Sequence, residues 1–423
     1  MVGMVVDATG SGMYLPLSLL YFHHMTGRPL AQVGVIMSSA ALLSLVGNPI
    51  AGVLVDRFGA RAVVVGAYLV RAAGFAAYPL VHSPVPMFLA IALVALGDGS
   101  FPPSIQSFVA EIAQGAGRDK LLAAQRSLRN AGLGAGGLIA GAALGLGSDA
   151  AFQVIVLFSG AAYLAAAGIM RTIGTGRRPG RGAAGTARVR RGYRLVLRNG
   201  PFRTLTLLNV PTAFGYMVLS VSLPVYITQE LGAAKSLVGV LYAVNTVGIA
   251  LLQIPVTRVL VRYRRTRTAA LGIAVFSLSF VSFAVLGVLS TGSVLLVGVF
   301  AATGLFTLGE LMHGATASAL VASAAPEATR GRHLAVYQLS WALPTALAPA
   351  VLTSLFTLSP AGMWLVLAAG VAGSAVTLLR LESRLPAQAV RPRPQPVVTA
   401  AATKVAAVTS SRAPSPAAAP PRS

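Results

Sequence analysis

The sequence predicts an all-α membrane protein with twelve spanning helices in two six-helix pseudo-repeats and both termini in the cytoplasm. Three observations predict it. Of 423 residues, 55% are hydrophobic and only 10% are charged, too little charge to clothe a soluble fold of this length. The long apolar runs are continuous rather than alternating, which points to helices and away from a β-barrel. Lys and Arg gather in every second loop between those runs.

A spanning helix needs about 20 apolar residues to cross roughly 30 Å of hydrocarbon. Twelve stretches qualify, near 3–22, 31–55, 62–81, 86–110, 121–146, 150–170, 201–227, 236–257, 269–290, 293–322, 333–356 and 360–379. Turn residues punctuate them, as in Thr26-Gly27-Arg28-Pro29, Ser83-Pro84-Val85-Pro86, Ser290-Thr291-Gly292 and Ser359-Pro360. Arg57 and Arg61 follow the second span, and Arg118, Lys120, Arg126 and Arg129 follow the fourth. Nine arginines lie within 171–200, with Arg203 just after. Arg258, Arg262, Arg264, Arg265 and Arg267 follow the eighth span, and Arg330 and Arg332 the tenth; the alternate loops hold only Arg28 and Lys235. Cytoplasmic loops collect Lys and Arg, and a miscounted helix would scramble this alternation.

Four segments follow. Residues 1–170 read as an N-terminal six-helix bundle, and 171–200 as an Arg- and Gly-rich cytoplasmic linker. Residues 201–381 read as a C-terminal bundle, and 382–423 as a disordered Pro/Ala/Arg tail. The first apolar stretch lacks a basic leader and an A-x-A site, so it reads as a span rather than a cleavable signal. Its abrupt start suggests a chain that begins late.

Composition also narrows the partners. A net charge of +23 belongs to a nucleic-acid binder only when the basic residues sit on a folded soluble face. Here they lie in short loops and a tail, so the expected partners are the lipid bilayer and a small-molecule substrate, with no nucleic acid. Cysteine is absent, which excludes disulfides and thiolate metal sites, and no metal or cofactor is expected. The three lysines, Lys120, Lys235 and Lys404, are none of them preceded by glycine, so no G-x-x-x-x-G-K-[ST] phosphate loop exists to drive an ATP pump.

The halves resemble each other weakly. At an offset of about 205, Tyr21 matches Tyr226, Val33-Gly34 matches Val238-Gly239, and Arg57 matches Arg262. At 213, Gln125 and Ser127 match Gln338 and Ser340, and Gly97-Asp98 falls one residue out of step with Glu310-Leu311. Two such repeats joined by a basic loop place a substrate site near the midplane, between the halves.

The most specific local signal is Gly52-Val-Leu-Val-Asp56-Arg57-Phe-Gly59-Ala-Arg61, in the loop after the second span. Glycine allows a sharp turn, and Asp56 can pair with arginines or cap a helix. The segment resembles motif A of the major facilitator superfamily, G-x-x-x-D-R-x-G-R, and with the twelve spans the resemblance covers residues 1 to about 380. It implies that Gly52, Asp56, Arg57, Gly59 and Arg61 latch the cytoplasmic side and help govern switching between inward- and outward-facing states. In the second half Val261 stands where Asp56 maps, leaving only basic residues. The fifth span carries Gly132, Gly134, Gly136, Gly137 and Gly141. The run resembles the antiporter motif of drug:proton exchangers, with Gly137 where that pattern has proline; close helix packing accounts for it equally well.

Charges inside a membrane are costly and are functional or paired. Asp98 and Arg71 sit at depths that agree within about 5 Å at 1.5 Å per residue, so they are an ion-pair candidate; if free to protonate, Asp98 is instead a coupling site. The superfamily's drug exporters often carry an arginine in the fourth helix beside the cavity, and this chain has Asp98 near that level. Glu310 has no evident basic partner in its span, and His313 follows on the same helical face. A carboxyl buried without a cation can load and release a proton, so Glu310 with His313 is the preferred proton-handling pair. Asp7 resembles the acidic first-helix position of many exporters, although only six residues precede it and a place at the cytoplasmic interface is the competing reading. Tyr14, Gln106, Tyr216, Asn245, Tyr337 and Trp341 are candidates for the cavity wall.

The function expected from the resemblance is secondary transport: proton-coupled export of a small, partly hydrophobic molecule by a monomer in the cell membrane. The alternatives are uptake by symport or uniport and, more remotely, a non-transporting sensor or scaffold. A membrane enzyme would need a nucleophile and base or metal ligands clustered on one face, and the five histidines are scattered.

Overall fold

The computed structural model describes residues 2–14, 17–112, 128–129, 131–142, 149–172, 193–289, 292–326 and 329–391. No strand occurs among them, and the described residues of each predicted span are mostly helical. The first two spans are each broken, into α1 (Val2–Tyr14) and α2 (Ser18–Thr26), then α3 (Leu30–Leu42) and α4 (Ser44–Phe58). α5 (Ala60–Ala77) and α6 (Pro84–Ile112) follow, α7 (Ala131–Ala142) is the described part of the fifth span, and α8 (Asp149–Thr172) is the sixth. After the short α9 (Tyr193–Arg198) come α10 (Gly200–Val225), α11 (Ser236–Leu260) and α12 (Arg265–Leu289). α13 (Gly292–Ala324), α14 (Arg330–Leu358) and α15 (Pro360–Leu381) complete the spans, and α16 (Ala387–Val390) ends the described chain. Nine of the described helices are long and apolar enough to cross a membrane.

Both breaks show in the backbone hydrogen bonds beside them. The Leu17 N–H reaches back to Tyr14 O, and the Leu43 N–H to Ala40 O, each at 3.0 Å. These are the tighter bonds of a 3₁₀ turn.

Each half packs on its own aromatic core. α5 lies against α6 and α8 in the first half, as α12 lies against α13 and α15 in the second, so the repeat read from the sequence has equivalent neighbours in space. Phe22, Phe75, Tyr78 and Tyr163 are buried in the first core, and Phe276, Phe280, Phe283 and Trp364 in the second. The outward faces carry exposed Val53, Leu80, Leu251 and Val288, the apolar surface a lipid environment requires.

Two crossings join the halves. Gly34 of α3 lies on α14: a Cβ there would meet Pro349 C at 2.9 Å, and Pro349 O and Thr353 Oγ1 closer still. One turn on, the Ala350 N–H donates to Ser38 Oγ at 2.8 Å. On the other flank α7 crosses α11, and a Cβ on Gly141 would meet Gly239 Cα at 2.7 Å and Ser236 O at 2.9 Å. Gly34 and Gly239 are the glycines that the 205-residue offset pairs, so equivalent positions make equivalent crossings. Both lie at the end of the bundle remote from the arginine-rich loops.

Two segments depart from expectation. Of the 171–200 linker, residues 193–198 form α9, whose Val196 is buried; residues 173–192 lie outside the described residues. The segment after 381, expected to be disordered, folds back as far as Arg391, because Leu385, Ala389 and Val390 give it something to bury. It docks under α12 and α13: Arg265 Nη1 donates to Ser323 Oγ at 3.1 Å and Gln388 O at 3.2 Å. Residues 392–423 lie outside the described residues.

Candidate functional site

Three charges meet inside the first half. Arg71 of α5 points its two terminal nitrogens at different carboxylates: Nη1 lies 2.9 Å from Asp7 Oδ1 on α1, and Nη2 lies 2.5 Å from Asp98 Oδ1 on α6. The rigid guanidinium fork suits this split, where a lysine would present one point charge. Its carbon stands 4.2 Å from the Tyr163 ring centroid and 5.5 Å from that of Phe101, which adds cation–π attraction. Asp7 is only 8% exposed, so it is a buried ion-pair partner. The Asp98 side chain is 46% exposed and faces a cavity of about 140 Å³ that Tyr14 and Arg129 also line. Tyr14 accepts a hydrogen bond from Tyr78 Oη at 3.0 Å.

A larger cavity, about 630 Å³, lies between the halves. Arg129 and Leu133 line it from the first half; Tyr216, Tyr242, Asn245, Phe306 and Glu310 line it from the second. Asn245 Nδ2 donates to Glu310 Oε2 at 3.0 Å and to Thr307 Oγ1 at 3.1 Å. Among the described residues no ion pair reaches Glu310. His313 lies one turn on but turns elsewhere: its Nδ1 is 3.0 Å from Tyr216 Oη, which also donates to Glu310 O at 3.2 Å. Tyr216 thus ties the His313 ring to the Glu310 backbone carbonyl and leaves the Glu310 carboxyl to Asn245. Trp341 packs edge-on to Tyr216, 5.0 Å between centroids. Tyr337 is withdrawn from this cavity and donates to Asn209 Oδ1 at 2.9 Å. Gln106 lies on α6, with its side chain outside the described residues.

The fifth-span glycines divide between two faces. Gly132 and Gly136 lie on α1, where added Cβ atoms would meet Ala8 Cβ at 2.5 Å and Met13 N at 2.7 Å. Gly137 and Gly141 lie on α11, the first with Tyr242 Cδ1 at 2.7 Å. Small residues spaced by four let each pair of backbones approach, and α7 does so in both directions.

Between α4 and α5, Gly59 has φ 85° and ψ 152° and donates its N–H to Val55 O at 2.8 Å. Only glycine occupies that region without strain of about 1–3 kcal/mol. Gly59→Ala is therefore expected to lower the melting temperature of the detergent-solubilised protein. Gly66→Ala, in open space on the same α5, should hold or raise it; equal behaviour of the two variants would refute the assignment. Arg57 is exposed, 5.3 Å over the Phe58 ring. Arg61 is half-buried at the start of α5, and the surroundings of Gly52 and the Asp56 side chain lie outside the described residues. In the second half, where Val261 replaces the acid, Glu382 supplies one from after α15. Arg264 Nη1 is 2.6 Å and Arg267 Nε 3.8 Å from Glu382 Oε1, and Thr266 Oγ1 donates to Oε2.

Comparison with known proteins decides the family. The model of the Major Facilitator Superfamily matches residues 1–210 and again residues 205–417. The chain belongs to the major facilitator superfamily. It is a multi-pass membrane transporter of that superfamily rather than an enzyme, and its partners are the bilayer and a small-molecule substrate. Among similar proteins, the multidrug resistance protein MdtH of Klebsiella pneumoniae (strain 342) is 26% identical over 359 residues, covering 82% of this chain and 83% of that protein. The uncharacterized MFS-type transporter YttB of Bacillus subtilis (strain 168) is 24% identical over 337 residues, 78% and 80% of the two chains. A Na(+), Li(+), K(+)/H(+) antiporter of Planococcus maritimus is 22% identical over 382 residues, 82% and 87%. The crystal structure of the nucleoside transporter NupG superposes with a TM-score of 0.74 at 13% identity, over 90% of this chain and 97% of that one, a likeness of fold.

Within the superfamily fold one residue of the site escapes the sequence. Arg129 reads as a loop cation, yet it lines both the cavity of Asp7 and Asp98 and that of Glu310. Its signal was its place three residues before Gly132, at the mouth of an apolar run.

Proposed function

We propose that this transporter exports a small, partly hydrophobic molecule in exchange for protons, by alternating access of one cavity between two six-helix bundles. The observation that carries this reading is the cavity between the halves, whose aromatic and aliphatic wall holds a carboxyl, Glu310, bonded to a neutral amide rather than a cation. Such a carboxyl can take up and return a proton as the site changes sides, with Tyr216 and His313 as its neighbours. Leu133, Tyr242, Ile249 and Phe306 give the wall apolar area that suits a cargo with hydrophobic surface. The names of the relatives, multidrug resistance in one and cation/proton antiport in another, support the same reading.

The arginine-rich ends face the cytoplasm, and the contacts of Gly34 and Gly239 close the opposite end, so the cavity is reached from inside. Residues 1–170 and 201–381 move as two bodies about the linker, in a monomer. The test uses everted vesicles energised by respiration and a panel of amphipathic dyes. Uptake that collapses with a protonophore, and in Glu310→Gln to the level of vesicles lacking the protein, is the expected result. Uptake indifferent to the proton gradient would sink the proposal.

A further inference from the structure

Two opposite charges face the cavity between the halves. Arg129 stands on its first-half wall and Glu310 on its second-half wall. Arg129 is exposed and Glu310 half-buried, and among the described residues no ion pair reaches either. The packing of α7 on α11 keeps them apart. A Cβ on Gly134 would meet Thr246 Oγ1 at 2.7 Å, so Gly134 lies level with Thr246 and with its neighbour Asn245, which holds Glu310. Arg129 comes five residues before Gly134, about 7.5 Å nearer the arginine-rich end at 1.5 Å per residue. The two positions are thus offset in depth as well as divided between the halves.

Each charge keeps a side turned to the cavity. Asn245 takes Glu310 Oε2 at 3.0 Å, and among the described residues no hydrogen bond reaches Oε1. Arg129 also lines the smaller cavity of Asp7 and Asp98, but Arg71 already holds those carboxylates at 2.9 and 2.5 Å. Between apolar walls the two charges act through a lower effective dielectric than in water. A simple cation gains at Glu310 and is repelled by Arg129; a simple anion meets the reverse. A molecule carrying both signs gains at both, whereas each singly charged competitor leaves one wall charge unanswered. The guanidinium fork suits a carboxylate or phosphate, which it can grip through two parallel bonds. A cavity of about 630 Å³ leaves room for a drug-sized apolar body between the two ends.

We infer that the cargo is a partly hydrophobic zwitterion, its anionic group on Arg129 and its cationic group on Glu310. The inference rests on the exchange of protons at Glu310 proposed above and names the molecule exchanged. A proton arriving on Glu310 cancels the charge that holds the cationic end, so the cargo is released as the proton binds. Arg129 stays charged throughout and serves as the fixed anchor.

Binding to the full purified chain in nanodiscs, read by fluorescence polarisation against empty nanodiscs, tests the cargo class. The probes share one ring system: rhodamine B, a zwitterion; its ethyl ester, a cation; and fluorescein, an anion. Rhodamine B should bind about tenfold more tightly than either, the cost of about 1.4 kcal/mol for one unanswered charge. Arg129→Gln should remove its advantage over the ester, Arg129→Lys should keep most of it, and Glu310→Gln should remove its advantage over fluorescein. Absent binding of rhodamine B, or equal or tighter binding of the ester or of fluorescein by the unmodified chain, would overturn the inference. So would an Arg129→Gln protein that melts lower and loses all three dyes alike, which would make Arg129 a structural cation of Asp7 and Asp98. These readings need no gradient. Charge-selective binding with transport indifferent to a protonophore would strike the proton exchange, and gradient-driven transport of all three dyes alike would strike the cargo class alone.

Discussion

Arg71→Met is expected to cost about 3–5 kcal/mol of stability, the usual penalty for removing one partner of a buried charge cluster. Arg71 is the shared cation of Asp7 and Asp98, so methionine fills much of the volume while leaving two carboxylates facing each other. Those carboxylates come from α1 and α6, and the residue between them from α5, so the loss falls on the packing of three helices at once. Arg71→Lys should recover only part of the stability, because one ammonium cannot address both carboxylates as the fork does. The triple variant Asp7→Asn/Arg71→Met/Asp98→Asn should lie close to the unmodified protein, since a neutral set of similar shape replaces the charged one. Thermal melting in detergent micelles, with the yield of membrane-inserted protein alongside, measures all three. A single Arg71→Met variant that melts like the unmodified protein would remove the cluster from any structural role.

The helical frame was legible because it rests on length and composition: about 20 apolar residues make a span wherever they occur. Contacts between helices are different. That Arg71 holds Asp98 follows from comparing depths along two adjacent spans, but Asp7 required knowing how α1 sits beside α5, and no periodicity in thirteen residues states that. The division of the α7 glycines into an α1 face and an α11 face is likewise fixed by rotation about the helix axis. Glu382 shows the limit most clearly. The loss of the acid at Val261 is plain in the sequence, but its replacement stands more than a hundred residues later and reaches Arg264 only because the chain folds back under α12. Arg129 was misplaced for a similar reason: a cation near a span's end looks the same in sequence whether it faces cytoplasm or cavity.

Gly239→Leu and Gly34→Leu are each expected to open the end of the transporter remote from the arginine-rich loops. Each glycine sits where a side chain would overlap the opposing backbone, of α7 in one case and α14 in the other. Overpacking a tight contact costs about 1–3 kcal/mol, and here that cost falls on only one of two states, the one in which the halves touch. The ratio of outer-open to outer-closed molecules should therefore rise about tenfold or more in each variant. The two sites lie on opposite flanks and share no partner, so their effects should add in free energy. Because the chain has no cysteine, spin labels at Gln32→Cys and Leu358→Cys report the outer separation without background, both positions being exposed. Longer distances in each single variant, and longer still in the double, are the expected result. The consequence reaches the cavity through α11, which carries Gly239 on the crossing and, six residues on, Asn245 on the Glu310 carboxyl. A shift of α11 against α7 thus moves the group that holds the proposed proton site. Unchanged distances in both variants would make the glycine crossings incidental to the switch and leave the coupling of α11 to Glu310 without a mechanical basis.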